Sequence, residues 1–156
     1  MLRIIVSACL LGLNTKYDGG NNRDEKIISI LNESGIYIIP VCPEQLGGLP
    51  TPREPADLTD SGEYILDGNG RVITWSGEDV TKYFIKGAYE VLKVAKLYNV
   101  KIAILKARSP SCGVDGAYQY RTRELKPWNG VTAALLKREG IRVINNEKFD
   151  LSLIKP

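Results

Sequence analysis

The chain contains three cysteines and no histidine. Each cysteine ends a short apolar run, in "VSACLLG" (6–12), "IIPVCPEQLGG" (38–48) and "ILKARSPSCG" (104–113). Without histidine, Ser-His-Asp and Cys-His nucleophilic sets are excluded, as are zinc sites built from two Cys and two His. General acid or base work then falls to Asp, Glu, Lys, Tyr, Cys or water. An odd cysteine count speaks against a disulfide framework. What remains is packing as small buried hydrophobes, nucleophilic chemistry with no imidazole to activate it, or metal ligation. Three thiolates can hold zinc if an Asp, Glu or water completes the site. They can also hold an iron-sulfur cluster, which usually takes four cysteines, leaving one iron open as a soft Lewis acid. The three ligands are far apart and no C-x-x-C pair is present, so spacing leaves the choice of metal open.

Periodicity gives the elements that must position these residues. "RIIVSA" (3–8), "IYIIPV" (36–41), "KIAILKA" (101–107) and "IRVIN" (141–145) read as strands. The second is apolar on both faces, which predicts burial in a parallel sheet. "NNRDEKIISILNESG" has helical spacing in Ile27, Ile28 and Leu31, with Gly35 as its stop. The longest helix is predicted from Gly77 to Asn99, with Val80, Phe84, Ala88, Val91, Leu92 and Ala95 along one face. A further helix, "GVTAALLKREG", opens at Asn129 and closes at Gly140. "EYILDGNGRVITW" predicts a hairpin turning at Asp67-Gly68-Asn69-Gly70, and residues 43–63, rich in Pro and Gly, a long stiff loop. Strands alternating with helices predict an α/β class: a three-layer Rossmann-like fold with a mostly parallel sheet, plus a small hairpin. Ligands in such folds bind beyond the carboxyl ends of the strands. All three cysteines belong at that edge, and with strands about 4.8 Å apart their loops can converge on one object.

At 156 residues the chain reads as one domain over 1–156. Its net charge of +3 comes from scattered Lys and Arg, which suits a small anionic substrate and gives no footprint for duplex DNA. The first apolar run stops at Cys9 without the h-region and cleavage site of a signal peptide. No stretch approaches the roughly 20 apolar residues of a membrane span. The expectation is a soluble, cytoplasmic protein.

Four blocks in order, "SACLLG...YDG", "PVCPEQLGGLPTPREP", "ARSPSCG" and "NGVTAALL", resemble the thiouracil desulfurase (TudS-like desulfidase) family, formerly a bacterial and archaeal domain of unknown function. The resemblance runs from Ser7 to about Leu136. It implies a 4Fe-4S cluster on three cysteines, matched here by Cys9, Cys42 and Cys112, with the fourth iron free. It implies removal of sulfur from a thiolated uracil, free or within a nucleoside, nucleotide or tRNA, to give the oxo base and hydrosulfide. The net reaction is a hydrolysis and needs no electron acceptor. A carboxylate and a serine assist, best matched by Glu44 and Ser109, with Ser111 the nearest competitor to Ser109.

The residue types agree with that chemistry, because exchanging C=S for C=O needs an activated water and a proton for a ring nitrogen. Candidate substrate contacts are Tyr17 as a stacking ring, with Asp18 beside it, and Gly47 and Gly48 for close backbone approach. Arg53 and Arg108 suit a phosphate. Asn129 and Gly130 open a helix whose amides suit an anion. Without an appended RNA-binding domain, the favoured partner is a small thiolated pyrimidine or its nucleotide. The competing reading is a non-catalytic protein holding structural zinc or carrying sulfur.

Overall fold

A computed structural model describes residues 2–154. Its elements run β1 (Arg3–Ser7), α1 (Glu25–Glu33), β2 (Tyr37–Val41), α2 (Pro43–Leu46), β3 (Ala56–Leu58), α3 (Gly62–Leu66) and β4 (Val72–Thr74) in the first half. Then come α4 (Thr81–Leu97), β5 (Ile102–Leu105), β6 (Ala117–Tyr118), β7 (Leu125–Lys126), α5 (Val131–Arg138) and β8 (Arg142–Asn145). The main sheet has the order β2-β1-β5-β8 with every pair parallel. Alternation along its central strands divides the core into two. Ile5, Ala103 and Leu105 face α4 and α5, whereas Ile4, Val6 and Ile104 face α1 and the C-terminal turns. This is the three-layer α/β arrangement that the periodicity predicts.

Helix boundaries follow their caps. The Asp24 carboxylate accepts from the Ile27 amide and starts α1, which buries Ile27 and Leu31 one turn apart and is followed by Gly35 at φ +65°. The long helix starts at Thr81 rather than Gly77, because residues 77–80 form turns whose Gly77 and Val80 amides bond back to Thr74 and Val72.

Three expectations are corrected. The second strand is an edge, with Tyr37 and Pro40 exposed and only Val41 buried. Pro40 lacks an amide to donate and suits an edge position, so the apolar run reflects half-burial. The hairpin at Asp67–Gly70 does not form. Residues 62–66 are helical, capped by Ser61 accepting from the Tyr64 amide, and the Gly68 turn (φ +84°) ends that helix. Here a local capping signal outweighs alternation. The antiparallel partner of β4 is β3, registered as Ala56↔Thr74 and Leu58↔Val72. The segment 43–63 accordingly carries α2, β3 and a cis Thr51–Pro52 bond instead of one long loop. A second small hairpin pairs β6 with β7. Among the described residues no helix is long and apolar enough to cross a membrane.

Candidate functional site

A cavity of about 330 Å³ opens beyond the carboxyl ends of β1, β2 and β5, and Cys9, Cys42 and Cys112 all line it. Cys9 sits in a 3-10 turn, Ala8–Leu11, that Gly12 closes at φ +88°. Cys42 occupies the N-cap of α2, and its sulfur receives a long contact from Arg53 Nη2 at 3.8 Å. Cys112 is 4% exposed. All three thiols are free. The sulfurs are near enough to act on one another: Cys42 acts on Cys9, and both act on Cys112. Burial pushes the Cys112 thiol up to about 12, against hydrogen bonds from Ser7 and Ser111 that pull it down. Burial raises Cys9 too, opposed chiefly by a hydrogen bond from Asn22. Among the described residues no three His, Cys, Asp or Glu form a group that could hold one metal ion. The three sulfurs line one cavity as a soft donor set, the chemistry that an iron-sulfur group takes.

The loop carrying Cys112 is held by main chain. Ser109 Oγ accepts from the amides of Ser111 and Cys112 at 3.2 and 3.0 Å, folding the Ser-Pro-Ser-Cys turn on itself. The first amides of α5 donate into the same loop. Val131 N reaches Pro110 O at 3.0 Å, while Thr132 N and Ala133 N reach Ser111 O at 2.9 and 3.1 Å. A Cβ on Gly130 would lie 2.6 Å from the Ser111 carbonyl carbon. The helix N-terminus thus spends its orphan donors on the cysteine loop, and the anion-binding expectation for Asn129 and Gly130 is corrected. Asn129 is a clamp, accepting from Asp115 N at 3.0 Å and donating to Glu63 at 3.0 Å.

Glu44 follows Cys42 by two residues, and α2 turns its carboxylate into the cavity. Oε1 accepts from Arg53 Nε at 2.9 Å, and Oε2 accepts from Ser111 Oγ at 2.9 Å. Ser111 Oγ also lies 3.1 Å from Ser109 Oγ and 3.7 Å from the Cys112 sulfur. A carboxylate, two hydroxyls and a cysteine are therefore linked in one chain. Ser111 is the serine that touches Glu44, and Ser109 lies one hydroxyl further away.

Arg53 lines the cavity, but its guanidinium is already committed. Besides Glu44 it donates to Thr15 O at 2.8 Å, Thr51 Oγ1 at 2.8 Å and Pro50 O at 3.3 Å. Its side chain is 6% exposed. The phosphate expectation for Arg53 gives way to a brace that fixes Glu44. Arg108 is committed as well, with two bonds to Glu147 at 2.6 and 2.8 Å.

Tyr17 lies on the cavity wall and is partly exposed, as a stacking ring requires. Asp18 does not line the cavity; it accepts from the Gly20 amide at 2.9 Å and pairs with Lys16. Gly47 and Gly48 are also away from it. A Cβ on Gly47 would lie 2.0 Å from Tyr83 O, and one on Gly87 would lie 2.0 Å from Pro43 O. These glycines let α2 press against α4, which seats Cys42 and Glu44. The close backbone approach is to a helix and not to a ligand.

Sequence reasoning missed Lys106, Asn22 and a wall made by Asp57, Trp75, Tyr118 and Arg123. Asp57 is 3% exposed and accepts from Trp75 Nε1 at 3.0 Å and Arg123 Nη1 at 2.6 Å. The Arg123 guanidinium lies 4.8 Å from the Trp75 ring and 4.4 Å from the Tyr118 ring. These partners are up to 66 residues apart and carry no local pattern. Lys106 did carry a signal, since it follows an apolar strand at the same edge as the cysteines. Burial lowers its pKa, together with Arg108, against the opposing pull of Cys9, Glu147 and Cys112.

Residues 4–148 match the profile of the 2-thiouracil desulfurase family. The solved structure of the 4Fe-4S-dependent thiouracil desulfidase TudS superposes with a TM-score of 0.83 at 38% identity, covering 99% of this chain and 100% of that one. The uncharacterized protein YbbK of Bacillus subtilis (strain 168) is 42% identical over 149 residues, 94% of this chain and 97% of its own length.

Proposed function

This chain belongs to the 2-thiouracil desulfurase family and is an iron-sulfur-dependent desulfidase, and from that premise we propose that Cys9, Cys42 and Cys112 hold a 4Fe-4S cluster with one iron left open. The observation that carries the ligand assignment is the lining of a single cavity by all three sulfurs together with Glu44. When bound, the cluster supplies a soft Lewis acid for the sulfur of the substrate.

The substrate is a thiolated uracil, as the base or a small nucleoside or nucleotide, and the reaction is its hydrolysis. Water and the C=S group give C=O, hydrosulfide and a proton, with no change in oxidation state. Glu44 takes the proton from the attacking water and returns it to the ring nitrogen or to the departing sulfur. Arg53 fixes Oε1 and Ser111 fixes Oε2, so the carboxylate meets its water in one orientation. Ser109 holds the Cys112 turn and backs Ser111. Tyr17 stacks on the base at the cavity wall. Three free thiols at one site fit a reducing compartment, and we assign the protein to the cytoplasm.

Anaerobic reconstitution with iron and sulfide, followed by incubation with 2-thiouracil or thiouridine monophosphate, tests the reading by hydrosulfide release. Cys112→Ala loses iron and turnover together. Glu44→Gln keeps its iron and loses about 10²- to 10⁴-fold in kcat, the usual contribution of a general base. Full turnover by Cys112→Ala overturns the ligand assignment. An iron-loaded or zinc-loaded wild type that releases no hydrosulfide from either substrate supports the non-catalytic alternative.

A further inference from the structure

Among the described residues five cations line the cavity, and four of them face a carboxylate: Lys16 on Asp18, Arg53 on Glu44, Arg108 on Glu147 and Arg123 on Asp57. Lys106 differs. Its ammonium donates to Ala107 O at 2.9 Å, and among the described residues no carboxylate pairs with it. Glu147 is near enough to be felt, but gives both its oxygens to Arg108. An ammonium has three donors, so two point to no protein partner in the structure. The base of the side chain is held rigidly: Lys106 N donates to Ser7 Oγ at 3.0 Å, and the next amide donates to Asn146 Oδ1 at 2.8 Å. A half-buried cation with unspent donors, on a fixed stem beside Cys9 and Cys112, is placed to give them to an acceptor that enters the cavity.

We propose that Lys106 is a substrate-positioning residue, whose free N–H donors hold the oxo oxygen that a thiolated uracil carries in addition to its sulfur. The proposal deepens the desulfidase reading and rests on it. Glu44 serves the reacting carbon from α2, while Lys106 reads the rest of the heterocycle from the end of β5. The chemistry gives a selectivity. Uracil-type rings present an acceptor at that position, whereas cytosine-type rings present an amino donor, which an ammonium rejects. Lys106 therefore favours 2-thiouracil over 2-thiocytosine.

The test compares reconstituted wild type, Lys106→Met and Lys106→Arg in three measurements: iron content with visible absorption, uracil binding by calorimetry, and kcat and KM for 2-thiouracil and 2-thiocytosine. The expected result is full iron in all three proteins. Uracil binds about tenfold or more weakly to Lys106→Met, the loss expected for a hydrogen bond to a charged group. The loss in turnover lies mainly in KM, the preference for 2-thiouracil collapses, and Lys106→Arg recovers part of the binding. Unchanged uracil binding by iron-loaded Lys106→Met overturns the proposal while leaving the desulfidase reading intact. Loss of iron from both variants also overturns it, because Lys106 would then support the cofactor. A wild type that desulfurates neither base sinks the parent reading, and this one with it.

Discussion

The two sides of the cavity are built by different means. On the cysteine side, main chain presses against main chain: Gly47 and Gly87 let α2 and α4 meet, and Gly130 lets α5 receive the Cys112 loop on its first amides. On the opposite wall, formed by the β3–β4 and β6–β7 hairpins, side chains do the joining, through Asp57, Trp75, Tyr118 and Arg123. Backbone contacts cannot change rotamer, whereas a stacked guanidinium can slide or swing. The difference assigns work. The rigid side suits fixed ligand positions for an inorganic group, and the adaptable side suits the fit of an organic substrate.

The strongest blow to the rigid side is Gly130→Ala. Its Cβ would stand 2.6 Å from the Ser111 carbonyl carbon and 2.8 Å from Pro110 O, so either α5 or the cysteine loop must move. The expected cost is about 3 kcal/mol, the upper end for over-packing, read by urea unfolding of the metal-free protein. Iron uptake should fall with it. If Gly130→Ala takes up iron as the wild type does, Cys112 does not depend on this seat.

Asp57→Asn strikes the other wall. The carboxylate is buried and serves two donors, and the amide keeps its shape while losing charge and one acceptor. Leaving Trp75 or Arg123 underserved costs about 1–3 kcal/mol. The comparison predicts that iron content stays at the wild-type level while KM for thiouracil rises. Iron loss comparable to that of Gly130→Ala would mean that the two sides are not separable.

This contrast also explains what could be read in advance. The cysteines were legible because strand exits in a parallel sheet share an edge, and that follows from alternation alone. The first helix was legible because Asp24 and Gly35 bracket its apolar stripe. The glycines announced close approach but not to what; only the crossing of α2 on α4 shows that the neighbour of Gly47 is Tyr83 O. Arg53 looked like a phosphate ligand because a sequence does not display Thr15 O, Thr51 and Glu44 waiting for it. The Asp57–Arg123 pair was invisible, since it joins two strand pairs set by tertiary packing, and the residues that alternation pairs with β4 are helical.

A milder change to the same wall is Arg123→Ala. The side chain is nearly half exposed, which screens its pair with Asp57, and its stacking on two rings contributes about 1 kcal/mol. Stability should drop by about that amount with no change in iron. The ratio of kcat/KM between the free base and its nucleotide should shift, because the wall next to Trp75 has lost a cation. An unchanged ratio would remove this wall from substrate selection.

The smallest effect falls within the cysteine loop itself. Gly113 and Gly116 lie three residues apart in the segment that follows Cys112. A Cβ on Gly113 would stand 2.4 Å from Gly116 O and 2.7 Å from Ser109 O, whereas one on Gly116 would meet only the Leu125 side chain at 3.7 Å. The Gly116 backbone is outside the left-handed region, so an alanine there meets neither steric nor conformational strain. Gly116→Ala should leave iron uptake and kcat unchanged and move stability by less than about 1 kcal/mol, with any gain arising from a less flexible unfolded chain. Gly113→Ala, by contrast, should behave like Gly130→Ala. Equal outcomes for this neighbouring pair would show that the rigidity belongs to the loop as a whole and not to the particular glycines where backbone meets backbone.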